Sequence, residues 1–515
     1  MSSDADLRVS IDCASPFAST SHAVGKWHLG GTADGQGLPT RHGFDSYWGM
    51  PITNVQACRA GHQEYIHSSL WSFLIDRSPT NVILLALAVI ALTPYALGFY
   101  ARWTITTLLV CGASAGYIYW FTATLTLINP KSCLLYENET LIEQPVQLNH
   151  MTLRHTQRAL RVIADAPRPF FLYLSYANAH TALFAMDEHR GLSAHGPYGD
   201  NVEEMDWSVG LVMAALAERN ETSSTFVYFA SDNGPFREEL DEGGYCGHAP
   251  VLTPSTPLMG DAAATPARAR VQLRGAKGQT WECGLRVPAL IALPSRWPAG
   301  VAVHTATSAM DIMPTVLALI DSQLPQQRQA GGSPLRRRPP RLRHISELGV
   351  REMAGVGVLD GVSLVPLLDG QLAENGHRVR EHEEGGMVHY CGANVSAVRQ
   401  GRFKVHYTTT RWEDEEGMIC RRAVICACHG HRHDPPLLYD VHADPAEAQP
   451  LDPTTPDHAE VLQRALATKQ RHEATLVAVP SQTERLPTLG HFPCCGIERG
   501  TFAHVWSTIN NLCGC

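Results

Sequence analysis

Several informative features are scarce or missing in this chain of 515 residues. Charged residues make up only 18% of it and the net charge is −9, so no basic excess indicates a nucleic-acid partner. The fourteen cysteines include no Cys-x-x-Cys pair, which argues against a structural zinc site. Residues 1–6 carry two aspartates and no apolar run follows, so the sequence as written opens without the pattern of a signal peptide. With 44% hydrophobic residues, the chain has the composition of an ordinary globular protein.

The C-terminal cysteines lie in clusters, at residues 420–428 and 494–515. This clustering predicts disulfide bonds and an oxidising compartment. Zinc is the competing interpretation, because histidines alternate along residues 429–433, but ligands at alternate residues suit a zinc site poorly. The prediction of an oxidising compartment agrees with three N-glycosylation sequons, which begin at Asn138, Asn220 and Asn394.

Two uncharged runs predict a helical hairpin in a membrane. Residues 82–101 form a run of about twenty residues, enough to span a bilayer, and residues 103–128 form a second run beyond Arg102. The turn between them is short, so both flanking polypeptides would lie on the same side of the membrane. A pair of buried helices in a soluble core is the alternative. Cys58 and Cys133 bracket the hairpin, and a disulfide between them would clamp its base.

Beyond the hairpin, strand and helix patterns alternate. Apolar runs predict buried strands at residues 170–176, 225–230 and 287–293, and apolar spacing predicts helices at residues 202–218 and 311–320. Such alternation predicts a mainly parallel sheet covered by helices, with ligands bound beyond the carboxyl ends of the strands.

Three polar residues fall beyond these predicted strands: His180, Asp232 and Asn233. Asp232 and Asn233 offer adjacent oxygen ligands, which suits a hard cation such as calcium or magnesium. Each also has a plainer interpretation, since His180 can simply cap a loop and Asp-Asn-Gly is a common turn sequence.

The segment Gly25-Lys26-Trp27-His28-Leu29-Gly30 combines a cation with an imidazole. In an extended segment, Lys26 and His28 would face the same way, and the glycines would let the backbone approach a ligand. An ammonium and an imidazole together suit a tetrahedral oxyanion. The alternative is a surface loop with a buried Trp27. Lys277 lies on a second glycine-flanked loop, and with a divalent cation the two lysines would complete a site for an oxyanion ester.

These segments, in this order, resemble the sulfatase family and, within it, the membrane-anchored steroid-sulfatase branch. The family matches are Val24-Gly25-Lys26-Trp27-His28-Leu29-Gly30, Arg41-His42-Gly43-Phe44-Asp45-Ser46-Tyr47-Trp48-Gly49, His180-Thr181, Ser231-Asp232-Asn233-Gly234 and Lys277-Gly278-Gln279-Thr280-Trp281-Glu282. Two further segments are typical of the branch: Met205-Asp206-Trp207-Ser208-Val209-Gly210 and His433-Asp434-Pro435-Pro436-Leu437-Leu438-Tyr439-Asp440.

The resemblance implies an α/β fold like that of alkaline phosphatase, with an inserted transmembrane helical hairpin and a smaller C-terminal α+β domain. Residues 1–80 would begin the catalytic domain, residues 81–129 would hold the hairpin, and residues 130–384 would complete the catalytic domain. Residues 385–515 would form a disulfide-rich C-terminal subdomain. We expect a membrane protein that faces the lumen of a secretory compartment and contacts lipid through residues 82–128.

The resemblance also implies hydrolysis of small aryl or sterol sulfate esters, with bound Ca²⁺ or Mg²⁺ and a formylglycine made from a cysteine. Asp232 and Asn233 would be metal ligands. Lys26 and Lys277 would hold sulfate oxygens. His28 would orient or deprotonate the formylglycine diol, and His180 would assist the leaving oxygen.

The sequence departs from the family at the nucleophile, because it contains no Cys-x-Pro-Ser-Arg motif. The segment Cys13-Ala14-Ser15-Pro16-Phe17 has the wrong order and lacks the arginine. The family's upstream strand with its aspartate pair is also missing, residues 250–270 and 326–343 look like insertions, and Cys283 stands where the family usually has glycine.

These departures predict an incomplete gene model of a working sulfatase. An inactive sulfatase-like membrane protein that binds sulfated ligands is the alternative. A phosphodiesterase of the same superfamily is a third hypothesis, and Lys26-Trp27-His28 argues against it.

Overall fold

The computed structural model describes residues 20–29, 37–54, 58, 112, 133–144, 146–236, 244, 246–248, 271–329, 352–353, 357–358, 360–370, 386–391, 394–410 and 430–476. They fall into two compact units, divided between Ala215 and Leu216. The predicted hairpin at residues 82–128 lies outside the described residues, apart from Gly112. None of the helices in the described part of the chain combines the length and apolar character needed to cross a bilayer.

A mixed five-stranded sheet forms the centre of the first unit. Its strands are β1 (Thr20–Gly25), β2 (Ser46–Gly49), β3 (Leu135–Glu137), β4 (Thr140–Glu143) and β5 (Phe170–Ser175). Their order is β4-β3-β2-β1-β5, and β1 pairs in parallel with both β2 and β5. β3 and β4 add an antiparallel hairpin at one edge. The predicted strand at residues 170–176 is therefore present.

Helix α1 (Met151–Asp165) carries the chain from β4 to β5. Its buried side chains include Met151, His155, Ala159 and Ile163, which recur every fourth residue and so share one face. Helix α2 (Gly196–Glu218) follows β5 and contains the predicted helix at residues 202–218.

The core beneath this sheet includes the disulfide Cys58–Cys133, which confirms the predicted bridge. Both cysteines are buried, and they pack with Met50, Leu135 and Met151. The bridge joins the segments before and after the predicted hairpin. A disulfide of this kind stabilises a fold chiefly by restricting the unfolded chain.

The second unit begins with short strands: β6 (Val227–Ala230), β7 (Gly247–His248), β8 (Val271–Gln272) and β9 (Ala289–Ala292). Helix α3 (Glu282–Leu285) precedes β9, and α4 (Ile312–Gln329) follows a 3-10 turn at Ala309–Asp311. A capping box between Ser308 and Asp311 starts this helical segment, as the prediction of a helix from Asp311 requires.

β6 and β9 pair antiparallel, so the prediction of a mainly parallel sheet is wrong for these two strands. Parallel neighbours are usually joined through a crossover helix, and the described residues between β6 and β9 contain only the single-turn helix α3. Parallel pairing occurs instead around β1 in the first unit.

The C-terminal part is an antiparallel sheet covered by one helix, an α+β arrangement. Short strands β10 (Glu352–Met353) and β11 (Gly357–Val358) and the turn of helix α5 (Val365–Leu368) lead to it. Its strands, in spatial and chain order, are β12 (Met387–Cys391), β13 (Asn394–Gln400), β14 (Phe403–Thr410) and β15 (Gly430–Asp440). Helix α6 (Pro456–Thr475) packs Val461 and Ala465 against Val398, Val405 and Leu438.

Candidate active site

Lys26 and His28 lie just after β1, not within an extended strand. Gly25 has φ +107° and His28 has φ +58°, both in the left-handed region, so the alternation that would place the two side chains on one face is interrupted. The condition under which the two side chains would share a face, an extended segment, is therefore not met. Lys26 is half-buried and His28 is exposed.

The glycine before Lys26 serves contact between strands. A Cβ at Gly25 would lie 1.8 Å from the Ser175 carbonyl oxygen of β5, and one at Gly49 would lie 1.8 Å from the Gly25 carbonyl oxygen. Backbone N–H groups of Lys26 and His28 donate to the carbonyls of Ser175 at 2.8 Å and Pro51 at 3.0 Å. The segment is therefore fixed by its backbone to the neighbouring chain.

Trp27 is buried, as the alternative interpretation of this segment required. It is 6% exposed, and its indole Nε1–H donates to the Gly37 carbonyl at 2.8 Å. The burial of Trp27 anchors the segment between Lys26 and His28. One loop thus carries both the lysine-histidine pair and the buried tryptophan, so the two interpretations of this segment are compatible.

His180 belongs to the same edge of the sheet. β5 runs parallel to β1, so the loops that leave their carboxyl ends emerge together. Asn54 donates from its side-chain amide to the carbonyls of His180 at 2.8 Å and Ala182 at 3.1 Å. Because Pro51 already bonds to His28, the short segment from Pro51 to Asn54 connects the two histidine-bearing loops. Asn54 is a site-supporting residue that the sequence patterns did not indicate.

In the second unit, Asp232 and Asn233 follow β6 and lie close to the Lys277 loop. The Gly234 N–H donates to the Gly284 carbonyl at 3.2 Å, and the Lys277 N–H donates to the Pro235 carbonyl at 2.9 Å. A Cβ at Gly234 would lie 1.7 Å from the Cys283 carbonyl oxygen, so this approach needs glycine. The fold thus joins the two candidate metal ligands to one candidate sulfate-binding lysine.

Lys277 occupies a tight turn between buried Ala276 and exposed Gly278, which has φ +84°. The Lys277 side chain is half-buried, and its ammonium lies 5.9 Å from the centre of the Phe236 ring. An aromatic face at this distance attracts a cation without neutralising it. The Phe236 ring thus favours the position of the ammonium beside it.

Asp232 and Asn233 fit a hard cation in kind, since both offer side-chain oxygens. Ca²⁺ takes six to eight oxygen ligands, of which these two residues would supply only part. No group of three or more histidine, cysteine, aspartate or glutamate side chains that could hold a metal occurs within the described ranges.

Two features around the Lys277 loop were not predicted from sequence. Cys283 is bonded to Cys246, so the residue in the place of the family's glycine forms a disulfide. Glu282 belongs to a buried ionic cluster with Lys404 and Glu447, both distant in sequence. The unusual Cys283 was a visible signal, whereas no motif marks the ionic cluster.

Comparison with known proteins gives the family. The family model described as sulfatase matches residues 20–322, which is more than half of the chain. This chain belongs to the sulfatase family. A second model, described as the C-terminal region of aryl-sulfatase, matches residues 381–501. Sulfatases are sulfuric ester hydrolases, and their α/β fold with a C-terminal domain is the fold described above.

Named relatives and a solved structure agree with this assignment. Steryl-sulfatase of Rattus norvegicus is 34% identical over 483 residues, which cover 90% of this chain and 73% of that protein. Arylsulfatase D of Homo sapiens is 32% identical over 502 residues, covering 92% and 74% of the two chains. The crystal structure of the PsFucS1 sulfatase from Pseudoalteromonas sp. superimposes with a TM-score of 0.56 at 17% identity, covering 92% of this chain and 74% of that one. The last likeness concerns the fold alone.

Proposed function

We propose that this chain hydrolyses small aryl or sterol sulfate esters with a site built from Lys26, His28, His180, Lys277 and the Asp232-Asn233 pair. The observation that carries the proposal is the joining of Lys277 to the Asp232-Asn233 segment in a chain that belongs to the sulfatases. The substrate class follows from relatives named steryl-sulfatase and arylsulfatase.

In this proposal the two lysines neutralise the sulfate oxygens, because a sulfate ester keeps a negative charge that charge-assisted hydrogen bonds stabilise. His28 takes up or orients a proton on the attacking group, and His180 gives one to the leaving oxygen. The Nδ1–H of His180 donates to the Thr181 carbonyl, which would leave Nε2 for the proposed proton exchange.

Asp232 and Asn233 would hold Ca²⁺ or Mg²⁺, which supplies charge stabilisation to the sulfate when bound. Formylglycine does not fit the sequence at hand, since no Cys-x-Pro-Ser-Arg motif supplies its precursor. We therefore assign no step to it. The second candidate function is the binding of sulfated ligands without turnover.

Binding is tested by calorimetric titration of inorganic sulfate into the 515-residue chain. We expect saturable binding that Lys277→Ala and Lys26→Ala each weaken about tenfold, the scale of one lost charge-assisted bond. Lys469→Ala is the matched control, because Lys469 pairs with Glu473 on helix α6. Sulfate binding that is absent, or equally affected by all three variants, would contradict the proposed site.

Turnover separates the two candidate functions. Protein isolated from its natural tissue is incubated with 4-nitrophenyl sulfate and with cholesterol sulfate, while mass spectrometry measures formylglycine. Metal-dependent sulfate release supports the hydrolase. Confirmed formylglycine without release would refute it, and sulfate binding in protein that lacks formylglycine would support the second function.

The proposal places the chain in the membrane of a secretory compartment. It includes the division predicted from sequence, with the hairpin at 81–129 between residues 1–80 and 130–384, and a C-terminal subdomain at 385–515. The hairpin would hold the site near the bilayer, where apolar sulfates partition. Supporting this compartment, the sequon asparagines are all exposed: Asn138, Asn220 and Asn394. Loss of mass on treatment with a peptide N-glycosidase tests the compartment.

A further inference from the structure

A buried ionic cluster lies beside the Lys277 loop. The Lys404 ammonium is 3.1 Å from Glu282 Oε1 and 3.2 Å from Glu447 Oε1. The side chains of Lys404 and Glu447 are fully buried and that of Glu282 is 4% exposed. Charges so far from water occur in proteins only when they are paired, so each member depends on the others.

The charges of this cluster balance. Arg399 contributes a second cation, with Nη1 3.8 Å from Glu282 Oε2, so two cations meet two carboxylates. Burial alone would raise the pKa of Glu447, but the His406 hydrogen bond and the Lys404 charge outweigh it and lower that pKa. For His406 the effect of burial is opposite in sign: burial lowers its pKa, and the hydrogen bond to Glu447 offsets this only in part. Glu447 is therefore ionised and His406 neutral at pH 7.

The cluster draws its members from separate parts of the second unit. Lys404 and His406 alternate along β14 and so share one face of the C-terminal sheet. Glu447 lies beyond β15, and Glu282 opens α3 shortly after Lys277. The Lys277 loop is thus connected to the C-terminal sheet through buried charge.

Direct contacts fasten this loop along its length. The Glu282 N–H donates to Glu447 Oε2 at 2.6 Å, and Arg274 Nη1 donates to the Glu447 carbonyl at 3.3 Å. His406 Nε2 donates to Glu447 Oε1 at 2.7 Å, which leaves Nδ1 to accept from the Thr280 hydroxyl at 3.3 Å.

The rings of Trp281 and His406 have centroids 4.3 Å apart, and the Arg274 guanidinium lies 3.9 Å from the centre of the Trp281 ring. Both ends of the segment that bears Lys277 therefore rest on the same buried group. A loop held at both ends keeps the side chain between them in one position, which lowers the ordering cost of ligand binding.

We propose that Glu282, Lys404 and Glu447 are positioning residues for Lys277, through which the C-terminal sheet sets the affinity of the site for sulfate. The inference rests on the proposed function, since it takes Lys277 as a sulfate-binding residue. All three side chains are buried, so they act by holding the loop that presents the lysine.

The test measures sulfate affinity by calorimetry in the full chain for Lys404→Met, Glu447→Gln and the double variant. Each single change leaves one buried charge uncompensated, and we expect sulfate to bind about tenfold more weakly, equivalent to about 1.4 kcal/mol. The double variant leaves Glu282 with Arg399, so the charges balance again and part of the affinity returns. Thermal unfolding is recorded alongside, and titrations run well below each midpoint.

Arg402→Met is the matched control. Arg402 lies two residues before Lys404 in the chain, and it pairs with Asp440 at the surface. This variant should bind sulfate as the unaltered chain does. The inference would be overturned if Glu447→Gln and the double variant fold, melt at lower temperatures and bind sulfate within twofold of the unaltered chain. This outcome decides the matter even if Lys404→Met does not fold. If Lys277→Ala leaves sulfate binding unchanged, the proposed function fails at this residue and the inference falls with it.

Discussion

The buried histidine of α1 should make the first unit sensitive to mild acid. His155 is 1% exposed, and neither ring nitrogen has a hydrogen-bond partner among the described residues. It lies edge-on to Trp48, with ring centroids 5.8 Å apart, and near Tyr176 at 6.5 Å. Burial, assisted by the nearby Arg154 charge, lowers the pKa of His155 from 6.5 to about 3. The folded protein thus holds this imidazole neutral.

The sign of the effect follows from proton linkage. The unfolded chain binds a proton near pH 6.5 and the folded chain does not, so the neutral histidine costs no stability above pH 6.5. As the pH falls below 6.5, unfolding becomes easier by about 1.4 kcal/mol per pH unit, down to the folded pKa. Between pH 7.5 and pH 5.0 the loss is about 2 kcal/mol. At pH 5.0 the folded imidazole is still neutral, because its pKa is about 3. The loss of stability at that pH therefore depends on the pKa of the histidine in the unfolded chain.

The measurement compares urea unfolding of the unaltered chain and His155→Leu at pH 7.5 and pH 5.0, followed by circular dichroism. Leucine keeps an apolar side chain of similar size on the helix and removes the titrating group. We expect the variant to lose about 2 kcal/mol less stability than the unaltered chain over this interval. Other histidines contribute equally to both proteins, so the difference isolates His155.

His195→Leu is the control, since it removes a histidine from an exposed position in the same unit. It should reproduce the pH dependence of the unaltered chain. Equal losses of stability in His155→Leu and the unaltered chain would show that His155 is hydrated or hydrogen-bonded in the folded protein.

Three further predictions concern the loops of the candidate site. Changing both Cys246 and Cys283 to alanine removes their bridge and should lower the free energy of unfolding by about 4 kcal/mol, because the bridge closes a loop between residues with a sequence separation of 37. An unchanged urea midpoint would contradict this prediction. Asn54→Ala should cost about 1–3 kcal/mol by removing two buried bonds and should speed hydrogen exchange around His180, whereas unchanged exchange would exclude its linking role. Gly234→Ala should weaken Ca²⁺ binding measured by calorimetry, because its Cβ would collide with the Cys283 carbonyl; unaltered Ca²⁺ affinity would contradict that packing.

Much of the fold could be predicted because its signals are local. The strand at Phe170–Ser175 and helix α2 carry their own apolar patterns, and the helix from Asp311 carries its own cap. The Cys58–Cys133 bridge followed from two cysteines placed on either side of one predicted hairpin. Family motifs likewise gave the sulfatase assignment, since they consist of contiguous residues.

Local patterns were less informative where neighbouring segments decide the conformation. The Lys26–His28 segment could be extended by its sequence, but in the structure its N–H groups bond to Ser175 and Pro51 and His28 has φ +58°. β6 and β9 read as members of a parallel sheet, but direction depends on the partner strand and not on the apolar run itself.

By itself, the sequence determined the family, several strands and helices, and the residue types of the candidate site. Only the tertiary structure decided which of these meet: Lys277 with the Asp232-Asn233 segment, Cys283 with Cys246, and Glu282 with Lys404 and Glu447. For the ionic cluster the physical reason is that a lone buried charge is too costly to persist, so packing between distant segments must bring its partner to it. No local pattern in the chain encodes that choice.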